Sequence, residues 1–233
     1  MKTIKEINKK YESFLGEKID VSGWVRTVRV SKDFGFIELN DGTFFKNLQI
    51  VFDNNLSNFS EIERIAIGSG LEITGELVKS PAKGQEFELK AESIKIAGPS
   101  SEDYPLQKKR HSFEFLRTIA HLRGRSNTFS AVFRLRSVLS FAIHRFFQEK
   151  GFVYVHTPII STSDCEGAGE MFHVTTFDLD KVPVNDKGEV DFEKDFFGEK
   201  AGLTVSGQLN GEAMAMAFNK IYTLGPTFRA ENS

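Results

Sequence analysis

Between residues 18 and 97 the apolar positions fall in short runs separated by turn signals. Ile19, Val21 and Gly23 alternate with polar residues, as do Val25, Val28 and Val30 more loosely. Phe34, Phe36, Ile37 and Leu39 follow, ending at Asn40-Asp41-Gly42. This is the period of strands buried on one face and closed by a turn. Leu48 to Phe52 makes a further run, and Ser57 to Ile67 reads as a polar helix. Leu71-Ile73, Phe87-Leu89 and Ile94-Ile96 complete the set. Five or six strands, with one helix between the third and the fourth, predict a small closed all-β barrel.

An OB-fold has that order. Gly98-Pro99-Ser100-Ser101-Glu102-Asp103-Tyr104-Pro105 is a linker by composition. We therefore expect a barrel domain over 1–98 with a short N-terminal lead, a linker or hinge over 99–112, and a second domain from 113 to 233. Beyond the linker the period lengthens. Val132, Leu135, Leu139, Ala142 and Phe146 step by threes and fours, which makes one helical stripe. Asn127 or Thr128 is its expected N-cap, and Lys150-Gly151 its stop. Phe152 to Val155 then reads as a strand ended by Thr157-Pro158.

Composition narrows this picture only slightly. The 233 residues carry a formal net charge of -2, which by itself points to no nucleic-acid partner. The charge is uneven, however. Pro105 to Lys150 holds ten Lys or Arg against two acids, whereas Phe177 to Lys200 holds eight acids against four Lys. The single cysteine, Cys165, excludes an intrachain disulfide and fits a reducing compartment. The first ten residues lack the apolar core of a secretory signal, and no run approaches the roughly 20 apolar residues of a membrane span. A cytoplasmic location is the expectation.

The densest chemistry lies at the end of the chain. Ile221 to Leu224 is a short apolar strand that runs into Phe228-Arg229-Ala230-Glu231. Arg229 and Glu231 fall on one side of an extended backbone. A guanidinium there could bind phosphate bidentately and offset charge as pyrophosphate leaves. A surface Arg and Glu closing a strand would have the same spacing. There is no Cys/His cluster with zinc spacing and no P-loop, so no metal ligands are assigned. Cys165 has no neighbouring histidine to activate it and is read as a packed side chain.

With those neighbours, the sequence resembles the class II aminoacyl-tRNA synthetases, within the subgroup serving aspartate, asparagine and lysine. Leu224-Gly225-Pro226-Thr227-Phe228-Arg229-Ala230-Glu231-Asn232-Ser233 is similar to the start of that class's motif 2. The helix ending at Lys150, with Gly151-Phe152-Val153-Tyr154-Val155-His156-Thr157-Pro158, looks like motif 1. Gly23-Trp24-Val25-Arg26 and Phe36-Ile37-Glu38-Leu39 are similar to the anticodon-binding OB domain. The implied fold is an OB barrel followed by an incomplete α+β catalytic domain, an antiparallel sheet with helices. Two further tracts resemble the asparagine enzymes: Ser163 to Phe172, and Val205-Ser206-Gly207-Gln208-Leu209-Asn210-Gly211-Glu212. Aspartate enzymes carry a lysine where this chain has Gly211. A pocket lacking that cation would leave an aspartate side chain buried and unpaired, at a cost of several kcal/mol.

The resemblance implies roles residue by residue. Glu166 would bind the substrate ammonium, with Gln208 completing the contact. Glu212 would accept a hydrogen bond from the amide of asparagine and repel aspartate. Arg229 would be the catalytic residue, touching the substrate carboxylate and the ATP α-phosphate, with Glu231 near the nucleotide. In the barrel, Phe36 would stack on the central anticodon uridine, Gln49 would bond its edge, and Arg29 would contact a nearby base or phosphate. Pro158 would lie at a homodimer interface. The implied partners are ATP, L-asparagine and tRNA(Asn). Mg2+ is also implied, with its ligands in a C-terminal part these residues do not include. Because the residues stop inside motif 2, ligation of asparagine to tRNA is expected of a longer polypeptide. The alternatives are a tRNA or single-strand nucleic-acid binding module without catalysis, an aspartate enzyme or a paralogue making free asparagine, and a dimerisation fragment. Bland readings also stand: Phe36 as core, Gln49 as a strand-surface polar residue, Glu166 as a capping acid and Glu212 as an exposed acid at a helix start. The basic run Lys108-Lys109-Arg110-His111 is read either as a tRNA-backbone contact or as solvated surface.

Overall fold

A computed structural model describes residues 1–163 and 171–231. The chain divides into two compact units, Met1–Arg136 and Ser137–Ser233.

The first unit opens with helix α1 (Ile4–Phe14), where the sequence pattern predicts only a short lead. Its signal was present as Thr3-x-x-Glu6. The Thr3 hydroxyl accepts from Glu6 N and the Glu6 carboxylate accepts from Thr3 N, which together satisfy two otherwise unpaired donors. Five strands follow: β1 (Lys18–Val30), β2 (Phe34–Asn40) and β3 (Leu48–Asp53), then, after the short helix α2 (Phe59–Ile62), β4 (Gly70–Lys79) and β5 (Phe87–Gly98). They close a barrel in the order β1-β2-β3-β5-β4. The OB-type order is as expected, but several of the expected runs are halves of longer strands. β1 runs unbroken through both of its apolar runs. It bends at a register shift between Val25 and Thr27, and so pairs with both β2 and β4. At Gly23 a Cβ would sit 2.4 Å from Asn40 O, so only glycine lets β1 lie that close to β2.

Alternation sorts the faces. Ile37, Leu39, Leu48, Ile50, Phe52, Leu71, Ile73, Leu77 and Leu89 are almost fully buried inside, joined by Ile4 and Ile7 of α1 and Ile62 of α2. Helix α3 (Phe113–Thr118) follows the linker, capped by Ser112, whose hydroxyl accepts from Phe115 N at 3.2 Å. Helix α4 (Asn127–Glu149) is capped by Ser126, which accepts from Phe129 N, rather than by Asn127 or Thr128.

In the second unit α4 stops at Gly151, whose φ of +75° suits a residue without a Cβ. β6 (Val153–Tyr154) pairs in parallel with β10 (Ile221–Tyr222). β7 (Ile160–Ser161), β9 (Ala201–Leu203) and β8 (His173–Val174) form a small antiparallel sheet, and α5 (Gln208–Phe218) precedes β10. The apolar stripe of α4 is open: Leu135, Leu139 and Phe146 are 52–60% exposed. The face that packs carries His144 and Phe147, against Tyr154 and Tyr222. His144 is two residues, about 200°, around the helix from Ala142, so the two faces cannot serve one neighbour.

The acidic segment holds a compact lobe. Val184 bridges Val190 across a turn at Asn185-Asp186-Lys187-Gly188, where Asn185 Oδ1 accepts from Lys187 N and Glu189 N. Asp195 is buried and accepts from Thr176 N at 2.9 Å, Thr176 Oγ1 at 2.8 Å and Phe196 N at 2.8 Å. Hydrogen bonding from Thr175 foremost, then from Thr176 and Phe196, lowers its carboxyl from 3.8 to about 2, against the opposing effect of burial. A folded pKa below the unfolded one means that the ionised form stabilises the lobe. That contribution is complete above pH 3.8 and is lost as pH falls toward 2. We expect protection of the Thr176 and Phe196 amides from hydrogen exchange to fall across that window. The fall should be absent in Asp195→Asn; equal pH dependence in both proteins would refute the assignment.

Candidate nucleic-acid face and substrate-site residues

Three strands of the barrel place the expected base-reading residues together. Arg29 on β1 is the cross-strand partner of Phe36 on β2, which in turn faces Val51 on β3. One step along, Thr27 pairs with Glu38 and Glu38 with Gln49. Because the intervening Ile37, Leu48 and Ile50 point inward, both rows point outward. Phe36 is therefore half-buried on the outer surface and not in the core, with Phe34 edge-on to it at 5.5 Å. Arg29, Phe36 and Gln49 line one hollow of about 410 Å3, together with Pro81 and Ala82.

The floor of this hollow contains a residue that sequence reasoning missed. Glu88 is 8% exposed and accepts from Gln49 Nε2 at 3.2 Å, Ser80 Oγ at 2.8 Å and Gln85 Nε2 at 3.1 Å. With one Nε2 hydrogen held by Glu88, the Gln49 amide keeps its second N–H and its Oε1 acceptor for other partners. Alternation between Phe87 and Leu89 would have put Glu88 on the outer face. That it adjoins Gln49 depends on β5 pairing with β3, which spacing alone does not state.

A larger hollow of about 930 Å3 in the same unit is lined by Arg26, Thr27, Glu38, Asn47 and the run Lys108 to His111. It shares Thr27 and Glu38 with the base-sized hollow. The Arg26 guanidinium donates to Arg125 O and to Asn127 Oδ1, and its burial lowers its pKa from the ordinary arginine value. His111 Nε2 donates to Pro105 O at 3.0 Å.

In the second unit the expected substrate residues form two local pairs. Gln208, at the start of α5, donates from Nε2 to Glu212 Oε1 at 2.9 Å, and both side chains are exposed. Arg229 Nη1 lies 3.6 Å from Glu231 Oε1, both more than half exposed, as expected for one side of an extended chain. Among the described residues, no side-chain hydrogen bond joins one pair to the other. The strand that leads to Arg229 is shorter than expected, for β10 ends at Tyr222. Gly211 is buried against β10, yet a Cβ there would meet Ile221 Cδ1 at an ordinary 3.5 Å. What its lack of a side chain removes is therefore a possible cation and not a clash. Pro158 is exposed. Glu166 and Cys165 lie outside the described residues. Among the described residues no group of three or more His, Cys, Asp or Glu could hold a metal ion, and no helix is long and apolar enough to cross a membrane.

The profile for tRNA synthetases class II (D, K and N) matches residues 112–233, just over half of the chain. The chain belongs to this family. A second profile, an OB-fold nucleic acid binding domain, matches residues 19–97. The asparagine–tRNA ligase of Desulfitobacterium hafniense is 64% identical over 230 residues, which is 99% of this chain and 50% of that protein. The corresponding ligase of Clostridium tetani is 61% identical over 231 residues, 99% of this chain and 50% of its own length. The chain thus spans about half the length of the curated relatives it matches. The fold agrees with that of solved synthetases. Asparaginyl-tRNA synthetase from Pyrococcus horikoshii, complexed with asparaginyl-adenylate, superposes with a TM-score of 0.78 at 24% identity, over 95% of this chain and 47% of that one. The Entamoeba histolytica enzyme gives 0.74 at 23%, over 94% and 47%.

If a base stacks on Phe36, its replacement should be costly to RNA binding and mild to folding. Phe36→Ala should weaken binding of an anticodon-loop RNA hairpin by about 1–3 kcal/mol while the fluorescence of Trp24 keeps its native spectrum. An unchanged Kd would remove Phe36 from the interface.

Proposed function

We propose that the intact protein, carrying the second half that its relatives have, ligates asparagine to tRNA(Asn) in the cytoplasm as a homodimer. The observation that carries the tRNA part is the convergence of Arg29, Phe36 and Gln49 on one outward face of the barrel. A stacking ring beside an oriented amide acceptor suits a uracil, whose N3–H is a donor. The division we favour is 1–98 as the anticodon-binding domain, 99–112 as a hinge and 113 onward as the catalytic domain.

The reaction has two steps. The carboxylate of asparagine attacks the α-phosphate of ATP, which forms the adenylate and releases pyrophosphate. A hydroxyl of the tRNA's terminal ribose then attacks the acyl carbon, and AMP leaves. Arg229 binds the substrate carboxylate and the α-phosphate, where a guanidinium offsets charge that grows in the transition state. Glu231 lies toward the nucleotide, Glu166 and Gln208 hold the ammonium, and Glu212 accepts from the side-chain amide. Releasing Glu212 from Gln208 frees the acceptor, so the 2.9 Å pair is the resting arrangement of the pocket. Mg2+ would neutralise the leaving phosphates; the described residues supply no carboxylate cluster for it. Pro158 follows the motif 1 strand toward the dimer interface, and the exposed Leu135, Leu139 and Phe146 of α4 add apolar surface for such an interface.

In pyrophosphate exchange with the full-length protein, asparagine should support incorporation and aspartate should not. Arg229→Lys should lower kcat by roughly 100-fold or more, because a point charge cannot reproduce the bidentate fork. Exchange with aspartate alone would overturn the substrate assignment. Binding of tRNA without any exchange would favour the non-catalytic module.

A further inference from the structure

Arg229 has few constraints of its own. Its side chain is 59% exposed, and its ion pair to Glu231, at 3.6 Å, is of the exposed kind that contributes little to holding a geometry. Its placement must come from the backbone that leads into it, and that backbone is tied at three points. Val155 N donates to Tyr222 O at 3.0 Å, at the end of the β6–β10 pairing. Two residues on, where the strand has ended, Tyr154 Oη donates to Leu224 O at 3.0 Å. Past Gly225 and Pro226, Phe228 N donates to Thr204 O at 3.0 Å.

The middle tie is the only one of the three made by a side chain, and that side chain is itself fixed. Tyr154 pairs with Tyr222 across the two strands, with ring centroids 5.2 Å apart. The His144 ring stands edge-on to Tyr154 at 4.8 Å, and His144 Nδ1 lies 2.7 Å from Tyr222 Oη. Phe147 stacks on the other side of Tyr222 at 4.6 Å and 12°. An aromatic cluster on α4 therefore sets the Tyr154 ring, and the ring sets a carbonyl five residues before Arg229. The last tie reaches further, because Thr204 Oγ1 donates to Ser206 O and Gln208 N donates to Ser206 Oγ at 3.3 Å. The backbone that carries Arg229 and the start of the helix that carries Gln208 and Glu212 thus meet at Thr204.

We infer that Tyr154 is a positioning residue for Arg229: its hydroxyl, bound to Leu224 O, holds the irregular Gly225-Pro226 segment and so fixes the path of the backbone that carries the guanidinium. Gly225 gives this segment no side chain to pack, and a Cβ there would meet nothing within 4 Å. Without the hydroxyl, the segment between Tyr222 and Phe228 keeps its ends and loses its middle. Tyr154 does not touch the reacting atoms; it acts through the strand. This inference rests on the proposed role of Arg229 in adenylate formation.

The test is Tyr154→Phe in the full-length protein, which keeps the ring and its packing and deletes one oxygen. Misplacement of a transition-state group predicts a fall in kcat for asparagine-dependent pyrophosphate exchange of about ten-fold. KM for ATP and asparagine should stay within about two-fold of wild type, and the thermal midpoint within about 2 °C. Tyr222→Phe serves as the comparison. It removes the bond to His144 but leaves Tyr154 on Leu224, so it should lower the thermal midpoint more than it lowers kcat. The inference fails if kcat of Tyr154→Phe is within two-fold of wild type. It fails equally if the loss of kcat is matched by a loss of thermal stability that Tyr222→Phe reproduces. A wild-type protein inactive with asparagine would instead refute the proposed function, so the two failures are told apart by the control.

Discussion

Closure of the first sheet is the constraint on which the barrel face depends. β3 and β5 meet in parallel through Ile50–Leu89 and Val51–Lys90, and this short seam turns a five-stranded ribbon into a barrel. Closure removes the open edges that would otherwise pair with other chains. It also forces the period-two alternation of every strand to resolve into one inside and one outside. Ile37, Leu39, Leu48 and Ile50 lie inside and are essentially unexposed, so Phe36, Glu38, Gln49 and Val51 must face out. The same seam brings Glu88 beside Gln49. An amide that would otherwise rotate freely is thereby given a preferred sense, with one N–H held by Glu88 and its oxygen turned away from that carboxylate.

The second unit solves a different problem with different means. Its strands are two or three residues long, too short to fix a site by ladder bonds alone. Rigidity comes instead from the aromatic packing of His144, Phe147, Tyr154 and Tyr222, and from single hydrogen bonds placed where a strand gives out. The exposed pairs Gln208–Glu212 and Arg229–Glu231 sit at the ends of this scaffold. Their own mutual attraction is weak in solvent, so the elements behind them carry the geometry.

Much of this was legible in the sequence, and the reasons are physical. Strand alternation and the Asn40-Asp41-Gly42 turn report burial directly, so the barrel and its order could be read. The tracts around Arg229 and Gln208 carried the family, which the profile match over residues 112–233 bears out. Helix α1 was missed although Thr3 and Glu6 spelled its capping box, because its lysines diluted the apolar signal from Ile4 and Ile7. The packing face of α4 was not legible for the opposite reason. That helix is apolar on more than one side, and periodicity counts apolar positions without saying which of them has a neighbour.

What the sequence determined alone is therefore local: which residues alternate, where turns and caps fall, and which chemical groups are available at Arg29, Phe36, Gln49, Gln208, Glu212 and Arg229. What the tertiary structure decided is adjacency. Barrel closure put Glu88 under Gln49 across 39 residues of chain. The parallel pairing of β6 with β10 put Tyr154 within reach of Leu224 across 70. Spacing along a chain determines a residue's face on its own element, but only the pairing of distant elements determines what that face meets.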